Sequence, residues 1–333
     1  MPNIKDELSK RILILDGAMG TMIQRYQLTD EDYRGERFKD FPNDVKGNND
    51  LLSLTRPDII SAIHKEYLEA GADIVETNTF SANWISMEDY KMEHLVKEIN
   101  FESARLAKEA CLEYTAKNPS KPRFVGGSMG PTTKLASLSP DVNNPGFRAI
   151  TFDQLVDAFK EQAEALIEGG ADVLIMETST DTLNSKASIY AAKLVIAEKR
   201  ETIPDYDIPI MISGTITDQS GRTLTGQTTE AFYNSLKHGD LLSIGLNCAL
   251  GARAMKPYLG EMSKIASCFV SVYPNAGLPN EMGAYDESPE YMGEQVKEFL
   301  EEGYVNILGG CCGTTPDHIR EFARIAAEYE PRK

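Results

Sequence analysis

Histidine, tryptophan and cysteine are all scarce in this chain of 333 residues, at four, one and five copies. An odd, scattered set of thiols excludes a disulfide scaffold and fits a reducing cytoplasm. Apolar residues make up 41% of the chain, enough for a large core. No apolar run reaches the length of a membrane-spanning helix, and the N-terminal "MPNIKDELSKR" lacks the apolar region of a secretory signal. Cations are also in deficit. Thirty-four Lys and Arg face 51 Asp and Glu, a formal charge of −17, which excludes nucleic acid and anionic membrane as partners. P-loop, dinucleotide and Ser-His-Asp patterns are missing, and low-complexity tracts are absent. The four histidines, His64, His94, His238 and His318, all read as helical or helix-flanking. For His318 the pattern predicts a solvated helix position.

What the chain does have is rhythm. Eight short apolar runs recur, at 12–19, 73–80, 123–130, 172–179, 209–216, 241–248, 268–277 and 305–313, each followed by a turn and a helical pattern. The runs are nearly continuous rather than alternating, as in strands buried on both faces. In "TFDQLVDAFKEQAEALIEGG", Thr151 and Gln154 have capping-box spacing and Leu155, Phe159, Ala163 and Leu166 share a face. Ser288-Pro289 and Thr315-Pro316 read as helix starts. "EAGADIVETNTF", "EGGADVLIMETSTD" and "EEGYVNILGGCCGTTP" echo one another as helix, Gly turn and strand. Eight strand–helix units in this length predict one (β/α)8 TIM barrel over 1–333, with its core at about 10–328. The competing architecture is a doubly wound open sheet, but "DGAMGTM" is not its glycine-rich loop. The segment 26–55 is a long polar loop and a lid candidate.

In such a barrel, function gathers at the C-terminal strand ends. Three of the five cysteines fall there: Cys248 on the sixth strand, Cys311 and Cys312 on the eighth. Cys111 and Cys268 read as small buried hydrophobes. The vicinal pair is poor disulfide material and lacks C-x-x-C spacing. Three thiolates at neighbouring strand ends suit one tetrahedral soft ion, foremost Zn2+, at the mouth. Regular strand geometry would point Cys311 and Cys312 apart, so Gly309, Gly310 and Gly313 are expected to supply the backbone angles that turn both inward. Three ligands leave a fourth position open. An all-thiolate zinc suits holding a substrate thiol as thiolate, so the chemistry indicated is S-alkylation of a thiol with no side-chain base. A thiol or zinc sensor using Cys311–Cys312 as a redox pair, and a structural zinc with a fourth protein ligand, are the rival readings.

Asp16, ending the first strand, and Glu177, ending the fourth, are candidate partners for a substrate ammonium. The amides of Gly17 and Ala18 are candidates for its carboxylate.

"LDGAMGTMIQ", "DVKGNNDLLSLTRPDII", "EAGADIVETNTFSA", "METSTDTLN", "GLNCALGA", "YPNAGLPN" and "GGCCGTTPDHI" resemble, nearly end to end, the homocysteine-binding module of cobalamin-dependent methionine synthase, within the homocysteine S-methyltransferase family. The resemblance implies zinc on Cys248, Cys311 and Cys312, homocysteine near Asp16 and Glu177, and a further substrate-binding role for Asn247. It implies methylcobalamin as methyl donor, its methyl carbon attacked by the zinc-bound sulfur to give methionine and cob(I)alamin. The cobalamin motif D-x-H-x-x-G is absent from this chain, which stops at "EYEPRK" just past the expected eighth helix. The expected state is therefore an excised module or a separate subunit, working with cobalamin-binding and folate-binding modules in cis or trans. A stand-alone enzyme using S-methylmethionine or betaine is the nearest alternative.

Overall fold

The eight apolar runs become eight parallel strands in a computed structural model, which describes residues 3–217 and 220–333. The strands are β1 (Leu13–Ile14), β2 (Ile74–Glu76), β3 (Phe124–Met129), β4 (Val173–Ser179), β5 (Ile210–Gly214), β6 (Ser243–Gly251), β7 (Phe269–Asn275) and β8 (Ile307–Leu308). Their order is β1-β8-β7-β6-β5-β4-β3-β2, every pairing parallel. The remaining seam closes through a parallel Leu15–Ile74 bridge, flanked by Asp73 N to Ile14 O (2.7 Å) and Asp16 N to Ile74 O (3.0 Å). That makes a TIM barrel and disposes of the open sheet.

Continuous apolarity has its reason in the two faces. Leu13, Leu15, Ile74, Phe124, Val173, Ile175, Met211 and Ile307 fill the barrel interior, with Ile4 and Leu8 of the helix Ile4–Leu8 packed into the same cluster. Their neighbours Ile14, Val75, Val125, Leu174, Ile212, Val270 and Leu308 belong to the other cluster, beneath the helices. Burial on both faces of every strand is what removes a period of two from the sequence.

The internal echo also has a physical basis. Gly71, Gly170 and Gly303 stop their helices with φ of 112°, 111° and 64°, angles a side chain rarely adopts. Two or three residues later, Asp73, Asp172 and Asn306 accept from the amide of the second residue of the preceding strand: Ile14, Val125 and Val270, each at 2.9 Å. The repeated Gly and acid or amide thus turn the chain and set the stagger of one strand against the next. Thr151 and Gln154 form the expected capping box on the helix Phe152–Gly169. Ser288 caps Pro289–Glu301, and Thr315 precedes Pro316–Ala326. The 26–55 segment is not bare loop. It contains the helix Asp30–Arg34, whose Arg34 guanidinium donates to the carbonyls of Phe41 (2.6 Å) and Asn43 (3.0 Å). Among the described residues no helix is long and apolar enough to cross a membrane.

Candidate metal and substrate site

At the C-terminal end of the barrel lies a cavity of about 850 Å3, lined by residues from β2, β3, β4, β6 and β7 and from the loops after β1, β2, β7 and β8. Its chemistry begins with backbone irregularity. β6 and β7 pair in register to Asn247–Tyr273 and then skip to Gly251–Asn275. Inside that bulge Cys248 and Ala249 take φ of 59° and 55°. Bulges of this kind re-aim a side chain, and here the bulge presents the Cys248 thiol to the mouth. β8 ends at Leu308, so Cys311 and Cys312 lie beyond the strand and escape its alternation.

The expectation about glycines needs correcting. Of the three, only Gly313 takes a left-handed angle (φ 82°). Gly309 and Gly310 are there because neighbours press close: a Cβ would stand 2.7 Å from the Leu15 Cβ and 2.5 Å from the Thr314 Oγ1 respectively. The doublet is pinned by backbone bonds from Cys311 N to Pro274 O and from Ala276 N to Cys312 O, both 2.9 Å.

The three sulfurs converge within 4.8 Å of one another, and Cys248 Sγ stands 3.9 Å from Cys312 Sγ. Three thiolates on a tetrahedral Zn2+ with Zn–S near 2.3 Å would be about 3.8 Å apart, so the donor set fits that ion. The thiols also fit it electrically. Hydrogen bonds from Cys248 and then Cys311 pull the Cys312 thiol down to about 3, with a smaller contribution from the Tyr285 hydroxyl. The Cys248 thiol is lowered by its contact with Cys311 but raised more by Cys312 and burial, and ends near 11. Contacts with Cys248 and Cys312, and burial, push Cys311 well up. Ionisation of Cys312 works against ionisation of the other two thiols, and a shared cation would relieve that repulsion.

Across the same cavity stand Asp16, Glu76 and Glu177. Asp16 is 2% exposed; its Oδ2 accepts from Glu76 N at 3.0 Å and its Oδ1 has no partner. Glu76 Oε1 is likewise buried and unpaired. Glu177 accepts a short hydrogen bond from Ser128 Oγ. Burial first, and then repulsion from Glu177, raise Asp16 and Glu76 well above the usual carboxylate range, against the lowering effect of the Glu76 amide on Asp16. Burial raises Glu177 to about 7, with a smaller push from Cys312. Three crowded acids, two of them with an unpartnered oxygen, have the chemistry to accept from a cation bearing several N–H donors. Gly17 and Ala18 line the cavity beside them, where Ala18 begins the helix Met19–Arg25.

The structure therefore brings Cys248, Cys311, Cys312, Asp16, Gly17, Ala18 and Glu177 to one cavity. Asn247 sits apart from the lining: it is 0% exposed and its amide is engaged by Thr178 and Ser213. Sequence reasoning passed over Glu76, although the shared "ETNTF" and "ETSTD" wording set it level with Glu177. It also missed Asp50, a buried cavity residue raised to about 7 by desolvation, and Tyr285 beside Cys312. His318 is not solvated, as had been expected. It is 5% exposed; Thr315 N donates to its Nδ1 (3.2 Å) and its Nε2 bonds Glu287 O (2.9 Å). Packing over the 276–288 loop, which has no periodic signal, decided its burial.

A parallel (β/α)8 barrel with three convergent thiols and three buried carboxylates at one mouth is the class of protein that fold and site define. The chain belongs to the homocysteine S-methyltransferase family, whose model matches residues 13–326. Among solved structures it is similar to the homocysteine methyltransferase MmuM from Escherichia coli. The metallated form matches with 22% identity and a TM-score of 0.71, over 95% of this chain and 96% of that one. The oxidized form matches with 22% identity, a TM-score of 0.72, and 94% and 95% coverage. The apo form matches with 21% identity and a TM-score of 0.66, over 95% and 96%. At these identities the likeness speaks for the fold.

Proposed function

We propose that the chain is a zinc-dependent homocysteine S-methyltransferase that draws its methyl group from methylcobalamin held by another domain or partner, and releases methionine. The observation that carries this reading is one cavity holding both a three-thiol donor set and three buried carboxylates. Cys248, Cys311 and Cys312 would hold the ion, and its chemical contribution is to keep a substrate sulfur ionised at neutral pH. Asp16 and Glu177 accept from the homocysteine ammonium, and the Gly17 amide faces its carboxylate; the Ala18 amide, the other candidate, already donates to Thr314 Oγ1 at 3.3 Å. With the sulfur already ionised, no side chain needs to remove a proton. The chain's task is to hold the amino-acid end so that the sulfur faces the incoming methyl carbon.

The donor is read from two features. "DVKGNNDLLSLTRP" and "PNAGLPN" match the wording of the cobalamin-dependent branch. Loops that follow the strands expose apolar side chains, including Leu138, Val142, Phe147, Leu278 and Met282, as a docking partner would require. A sulfonium or betaine donor is the second reading, favoured by Asp50, a buried acid in the same cavity. Incubating zinc-loaded protein and homocysteine with methylcobalamin, S-methylmethionine or betaine, and measuring methionine by mass spectrometry, separates them. Turnover with methylcobalamin alone is expected. Turnover only with an onium donor moves the chain to the second reading, and no methionine with any donor removes the methyltransferase assignment.

A further inference from the structure

We infer that Asn247 is a positioning residue whose side-chain amide clamps the bulge bearing Cys248 to the bulge bearing Glu177, so that the metal end and the ammonium end of the site are held in register. The inference rests on the proposed function and adds to it a residue that stands behind both ends, outside the cavity lining, with its Nδ2 also reaching the Cys311 sulfur at 4.0 Å.

β4 and β6 are not neighbours; β5 lies between them. The backbone ladders lapse where the site begins. β4 pairs with β5 up to Met176, then skips to Ser179–Gly214. β5 pairs with β6 only as far as Gly214–Leu246. Glu177, Thr178, Asn247 and Cys248 thus sit where no ladder bond joins the two strands. Asn247 spans that gap. Its Nδ2 donates to Thr178 Oγ1 (2.8 Å) and its Oδ1 accepts from Thr178 N (3.0 Å) and Ser213 Oγ (2.7 Å). Its own carbonyl accepts from Thr215 Oγ1 at 3.1 Å. Ser213 in turn bonds the hydroxyl of Tyr273, which lines the cavity.

Strain on both sides shows what the clamp works against. Thr178 has φ of 56°, Cys248 of 59° and Ala249 of 55°, and none of them is glycine. Such residues persist only where their surroundings over-determine them. The Thr178 amide, denied a ladder partner by the bulge, finds one in Asn247. An amide side chain is the group that donates and accepts at once; a carboxylate would lose the donor, and a shorter side chain would not span the gap.

The clamp predicts a joint loss. In zinc-loaded full-length protein, Asn247→Ala and Thr178→Val should each speed zinc release to a chromogenic chelator about tenfold, the scale on which residues behind metal ligands act. The same variants should weaken L-2-aminobutyrate about tenfold by calorimetry. That probe carries homocysteine's ammonium and carboxylate but no sulfur, so it does not report on metal ligation. Thr178→Ser, which keeps the hydroxyl, should stay near wild type in both. A residue with a merely structural role would lower the melting temperature and leave both quantities unchanged. Should Asn247→Ala not fold, Thr178→Val exchanges only a hydroxyl for a methyl and carries the test. If either quantity is unchanged in Thr178→Val, or Thr178→Ser behaves like Thr178→Val, the clamp is refuted. Wild-type protein that binds neither zinc nor homocysteine would instead overturn the function, and that is seen before any variant is compared.

Discussion

Glu177→Gln should make the metal-free protein more stable and the enzyme worse, and the two effects should be separable by pH. The change is isosteric, and Gln retains an oxygen to accept from Ser128 Oγ. In the folded protein, burial raises the Glu177 carboxyl from 4.5 to about 7. A group raised on folding contributes stability below its unfolded value and loses it as pH climbs through its folded value. The wild type therefore weakens between about pH 4.5 and 7, by about 3 kcal/mol for a rise of this size. Glutamine carries no such penalty. The variant's melting temperature should match the wild type's near pH 4 and exceed it by about 4 to 5 °C at pH 8, for a chain of this length. Homocysteine binding should move the other way: losing one partner of a buried charge pair costs about 3 kcal/mol, or about a hundredfold in KM. Differential scanning calorimetry at pH 4, 6 and 8, with steady-state kinetics at pH 8, tests both. A stability difference independent of pH would refute the buried-acid argument. Stabilisation without a rise in KM would remove Glu177 from the ammonium site.

His64 supplies the opposite slope. Fully buried with both ring nitrogens unpaired, it is lowered by desolvation to about 4, so the protein should lose about 3 kcal/mol as pH falls from about 6.5 to 4. Guanidinium unfolding of His64→Leu across that range should lack this loss relative to wild type, and parallel curves would contradict it. Replacing Cys312 by Ser should abolish tight zinc binding, measured by metal analysis after gel filtration, with an unchanged far-UV circular dichroism spectrum, because the site sits on the mouth and not in the core. Undiminished zinc would relocate the metal. Hydrogen peroxide added to zinc-stripped protein should join Cys248 to Cys312, whose sulfurs are 3.9 Å apart, rather than the strained neighbours Cys311 and Cys312. Peptide mapping that found only the vicinal bridge would favour the redox-sensor reading of the doublet.

Much of this site could be read from local wording. The Cys311-Cys312 doublet and Cys248 stand at strand ends that hydrophobic runs mark clearly. Glu177 is flagged by its echo at Glu76, yet the partnership of the two is invisible, because closeness across a barrel depends on strand stagger. His318 shows the limit from the other side. Its spacing is that of an exposed first-turn residue, and a loop with no periodic signal buries it against Glu287.

The sequence alone determined the barrel, since eight doubly buried strands, their Gly turns and their capping acids are local patterns with local causes. It also determined the donor chemistry, since thiols and carboxylates are fixed by residue type. Only the tertiary structure decided how those groups meet. The left-handed bulges at Thr178 and Cys248 fall on residues with no such preference, and Asn247 fills a gap that opens only when β4, β5 and β6 lose register. Long-range closure imposes that strain, and no local segment carries a record of it.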